Sequence, residues 1–79
     1  MHIFNYMLEN ESKSARFKRL AESRTNAVLE KIKILGNCSN RSMYAYTDEE
    51  INKIFSEIDK YLKETKAQFR PSRAKRFSL

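Results

Sequence analysis

Seventy-nine residues allow one small domain with a thin core, because so short a chain buries only about 60% of its surface. One cysteine, Cys38, excludes an internal disulfide, and one histidine, His2, excludes triad chemistry and leaves no set of about four zinc ligands. The net charge of +6 is uneven: residues 1–46 carry eight basic and four acidic side chains, residues 47–68 four and six, and residues 69–79 four and none.

The chain opens without a basic leader region or small-residue cleavage site, and no stretch approaches the ~18 apolar residues of a membrane span, so a cytoplasmic protein with no membrane partner is expected. Ile3, Phe4, Met7 and Leu8 recur at helical spacing and predict a short helix over residues 2–9. That helix would cover one end of the domain, or be covered by a second copy of the chain.

A long helix follows over residues 14–35, with Ser12 or Ser14 as N-cap. Phe17, Leu20, Ala21, Val28, Ile32 and Leu35 fall in one sector at about 100° per residue, which is an amphipathic pattern. Arg24 falls in the middle of that face, where a charge must snorkel to the edge, bond to a loop carbonyl or tyrosine hydroxyl, or anchor a partner. Gly36 comes next, where a left-handed residue would close the helix.

Residues 36–46 form a long connection. Its Asn and Ser side chains suit backbone capping in turns. Tyr and Arg are enriched at binding hot spots, so Asn37, Asn40, Arg41, Tyr44 and Tyr46 are the candidate partner-binding residues. Cys38 is expected to be a small buried hydrophobe.

The second long helix is expected over residues 47–69. Thr47-Asp48-Glu49-Glu50 has the form of a capping box, flanked by Tyr46 and Ile51 at the positions of a hydrophobic staple. Its stripe is Ile51, Ile54, Phe55, Ile58, Leu62 and Phe69, and Pro71 disfavours a helical Arg70. Residues 70–79 are a basic tail.

These elements predict an all-α fold: an antiparallel two-helix hairpin with a short N-terminal helix, completed by dimerisation if the hairpin cannot bury its own stripes. No catalytic, cofactor-binding or metal-ligating residue is expected, and the acids of the second helix form an exposed pattern rather than a general acid–base pair. The chain therefore reads as a non-enzymatic binding protein. Arg16, Arg19, Lys33, Arg70, Arg73, Lys75 and Arg76 are the candidates for contacting nucleic acid or an acidic partner.

Three phrases add a resemblance: Arg16-Phe17-Lys18-Arg19-Leu20-Ala21-Glu22, Leu35-Gly36-Asn37-Cys38-Ser39-Asn40-Arg41-Ser42, and Tyr44-Ala45-Tyr46-Thr47-Asp48-Glu49-Glu50. Over about two-thirds of its length the chain resembles a group of short hypothetical proteins carried by bacterial phages, plasmids and integrative elements. Cys38 departs from that pattern, where Leu is expected. The resemblance implies either housekeeping of the element's own DNA or inhibition of a host defence protein, as small anti-CRISPR proteins do. The expected partner is a host protein or ribonucleoprotein complex that processes nucleic acid, with direct nucleic-acid binding and a homodimer as alternatives.

Overall fold

The computed structural model describes residues 10–70, and its two long helices, with no strand among the described residues, make the protein all-α. The expected helix over residues 2–9 and all of the tail beyond Arg70 lie outside those residues. The chain divides into two units, residues 1–44 and 45–79.

The first unit holds helix α1, Lys13–Gly36. Ser12 is its N-cap: the backbone is extended there, the Ser12 hydroxyl accepts from the Ala15 amide at 3.0 Å, and the Ser12 carbonyl accepts from the Arg16 amide at 2.9 Å. The side-chain bond satisfies one of the helix's four orphan donors, and the carbonyl bond is the first of the helical ladder.

The other end differs from expectation. Gly36 is right-handed, at φ −59° and ψ −24°, and no described residue has positive φ. Instead of reversing at a left-handed glycine, the chain tightens into a 3₁₀ turn, Asn37–Ser39. The Asn37 amide donates to the carbonyls of Ile34 and Leu35. The chain leaves helical geometry only at Asn40, at φ −72° and ψ 102°. The tightened turn engages the Ile34 and Leu35 carbonyls without a left-handed residue.

The second unit holds helix α2, Asp48–Ala67, and its start matches the sequence reading closely. The Thr47 hydroxyl accepts from the Glu50 amide at 3.1 Å, and Glu50 Oε1 accepts from the Thr47 amide at 2.8 Å, so the capping box is complete. Asp48, Glu49 and Glu50 crowd the positive end of the helix dipole. Tyr46 and Ile51, at the staple positions, are both half-buried.

This helix stops at Ala67, short of the expected residue 69. Proline 71 has no amide to offer the Ala67 carbonyl. The last amides turn to nearer carbonyls, Gln68 to Thr65 at 3.0 Å and Phe69 to Lys66 at 3.1 Å, and the helix ends in a tightened turn.

None of the described residues is buried. Along the α1 stripe Leu20, Ala21 and Leu35 are half-buried while Phe17 is 57% exposed; along α2 Ile51 and Ile58 are half-buried while even Ile54 is 39% exposed. Each unit holds one long helix among the described residues, and more than half of the residues of the two stripes are exposed.

Candidate binding site

The loop residues of the first unit are organised around Asn40. Its side-chain oxygen accepts from the Ser42 amide at 3.0 Å and the Ser42 hydroxyl at 2.6 Å. Its carbonyl accepts from the amides of Met43 at 3.1 Å and Tyr44 at 2.9 Å. The Asn-to-amide bond two residues on is an Asx turn, which holds the backbone without help from a helix or strand.

Four of the five loop candidates lie in this segment. Asn37 caps α1, Asn40 ties the turn, and Arg41 and Tyr44 project from it, both exposed. Met43, which sequence reasoning passed over, is 71% exposed beside Tyr44 at 49%. A methionine and a tyrosine so close together offer adaptable apolar area with a polar tip, the kind of surface that protein partners use. Tyr46 belongs to the second unit, where it is half-buried immediately before the α2 cap. Cys38 is exposed rather than buried, because the 3₁₀ turn that carries it lies on the surface.

The basic candidates on α1 are exposed but not equivalent. The guanidinium of Arg19 grips the Glu11 carboxylate at both ends, with Nε donating to Oε2 at 3.0 Å and Nη2 to Oε1 at 3.0 Å. Glu11 precedes the N-cap, and its side chain is only 12% exposed against 44% for Arg19. The hydrogen bond from Arg19 holds the Glu11 carboxyl below its ordinary range, opposed by partial desolvation and aided by the charges of Arg19 and Arg16. The same bond raises the Arg19 guanidinium. Of the three α1 candidates, Arg19 is thus committed to a carboxylate, and Arg16 is close enough to it to act through its charge.

Lys33 lies fourteen residues beyond Arg19, about 21 Å along the helix axis, and does not join that cluster. Arg70 is exposed after the end of α2, while Arg73, Lys75 and Arg76 lie outside the described residues. Arg24 is exposed within the apolar stripe of α1.

No family model, curated protein or solved structure matches this chain. Among the described residues no group of three or more His, Cys, Asp or Glu side chains could hold a metal, and no helix is long and apolar enough to cross a membrane. A shallow open depression lined by Arg19, Glu22, Ser23 and Asn26 follows one face of α1 and has no enclosed floor. It lacks the concave, mostly apolar walls of a small-molecule site.

Proposed function

We propose that this chain is a non-enzymatic protein of a mobile genetic element that binds a nucleic-acid-processing protein complex of the bacterial host, as an inhibitor of a defence system such as an anti-CRISPR protein would. In this reading the two helices fold back as an antiparallel hairpin. The seven basic and two acidic side chains of α1 then face the four basic and six acidic ones of α2.

The loop carries the proposal. Four hydrogen bonds to Asn40 hold a segment that displays Arg41, Met43 and Tyr44. An ordered loop loses little conformational entropy on binding, which favours a specific protein contact. The Glu11 carboxylate held by Arg19 favours the same reading, because it cancels part of the positive field that a phosphate backbone would need.

The excess of basic residues on α1 supports a second reading, direct binding of nucleic acid by α1 and the basic tail. A pull-down of the tagged protein from its bacterial host, with and without nuclease, separates the two. A partner that survives nuclease and disappears with Arg41→Ala/Tyr44→Ala supports protein recognition. A partner list that collapses with nuclease, and binding that falls steeply with salt, support nucleic acid.

A further inference from the structure

Both apolar stripes are wider than a single neighbour requires. At about 100° per residue, Ile51, Ile54, Phe55, Ile58, Tyr61 and Leu62 span roughly 120° of α2, and the six stripe residues of α1 span a similar arc. A helix meeting one other helix needs two apolar positions in seven, whereas bundle helices with two neighbours use three. In α2 those three rows are Ile51 and Ile58, Ile54 and Tyr61, and Phe55 and Leu62. The chain supplies each long helix with only one other long helix among the described residues.

The charges beside these stripes have the same period. On α2, Glu50, Glu57 and Glu64 recur every seven residues along the edge formed by Ile54 and Tyr61. Glu50 is committed to the capping box, which leaves Glu57 and Glu64 as the outward members of the row. On α1, Arg24 and Lys31 are also seven apart, in the same row as Phe17, and Leu20 and Val28 lie one turn to either side of Arg24. Two cations inside an apolar face need carboxylates when that face is covered. A glutamate row of matching spacing at the edge of another stripe supplies them.

We propose that the occupant of these faces is a second copy of this chain. Two chains form a four-helix bundle in which Arg24 and Lys31 of each copy pair with Glu57 and Glu64 of the other. The arrangement is isologous: each copy gives one basic row and one acidic row, so two identical contacts form about a twofold axis. Equal spacing of the two rows allows the pairing in either helix direction. The basic pair thereby specifies the partner chain, at some expense of stability relative to an apolar seam. This inference is independent of the host target, because a dimer that captures no host protein, or a monomer that captures one, would separate it from the preceding proposal.

The test uses two charge-reversed variants of the full chain, Arg24→Glu/Lys31→Glu and Glu57→Arg/Glu64→Arg. Light scattering over a range of concentrations should give the native chain the mass of a dimer. Each variant alone places like charges at both contacts and should associate more weakly by more than about tenfold. Mixed together, the two restore opposite charges at both contacts and should form a heterodimer, with far-UV circular dichroism confirming that each remains helical. The neutral variants Arg24→Gln/Lys31→Gln and Glu57→Gln/Glu64→Gln give a second readout and should each weaken self-association without repulsion. A native chain with monomer mass at every concentration overturns the proposal. So does a mixture that yields no heterodimer while all four reversals in one chain restore the dimer, since that result assigns the pairing to within the chain.

Discussion

Replacing Gly36 with alanine gives opposite signs for the two ways α1 could end. A left-handed C′ glycine would make Gly36→Ala costly, by about 1–2 kcal/mol, because the β-carbon meets the following carbonyl. The observed residue is right-handed at φ −59° and ψ −24°, and a β-carbon built on it meets nothing within 4 Å. Alanine then keeps the conformation and removes the entropic disadvantage of glycine, worth about 0.5–1 kcal/mol at a terminal helical position. For a domain of this size that converts to a rise of roughly 2–8 °C in the melting midpoint. Thermal melts followed by far-UV circular dichroism read the change directly. A fall in the midpoint by a similar amount would refute the tightened-turn ending and restore the left-handed cap.

Other perturbations follow from the same bonds. Thr47→Ala removes the acceptor of the Glu50 amide and should destabilise α2 by about 1 kcal/mol, while Thr47→Ser keeps most of that stability; amide exchange at Glu50 checks it. Asn40→Ala deletes the oxygen that receives the Ser42 amide, so that amide should exchange faster, and Asn40→Asp, which keeps an acceptor, should restore protection. Because the Glu11 carboxyl is held below its ordinary value of 4.5, the Glu11–Arg19 contact contributes fully above that value and is lost as pH falls through the lower folded value. A carboxyl titration by NMR should show Glu11 with a depressed midpoint that returns towards 4.5 in Arg19→Ala; an unchanged midpoint would contradict the ion pair.

The local signals were legible in the sequence where one residue type had one use. Thr47 followed by Glu50 permits a reciprocal cap, and both bonds form. Ser12 offers a hydroxyl one position before a helical stretch, and it caps. Gly36 does not reveal its conformation in the sequence, because a right-handed glycine followed by a 3₁₀ turn ends a helix as well as a left-handed one does, and no neighbouring residue distinguishes the two. The Glu11–Arg19 pair is not legible in the sequence, because eight residues separate the two. Glu11 lies outside the helix, before the cap, so the three- and four-residue spacing of helical pairs does not apply to it. In the loop, the residue types announced a turn, but the division of labour was hidden: Asn40 bonds inward, Tyr44 and Met43 are displayed, and Tyr46 belongs to the cap of α2. The stripes were legible as amphipathic faces, whereas what covers them depends on chains and segments that periodicity does not specify.

The proposed role of the ordered loop is recognition of a host protein. The most direct measurement is the nuclease-treated pull-down from the bacterial host, comparing the native chain with Arg41→Ala/Tyr44→Ala by mass spectrometry. The account predicts one protein complex retained by the native chain after nuclease and lost by the double variant. Equal capture by both, or loss of all partners from the native chain on nuclease treatment, would contradict it.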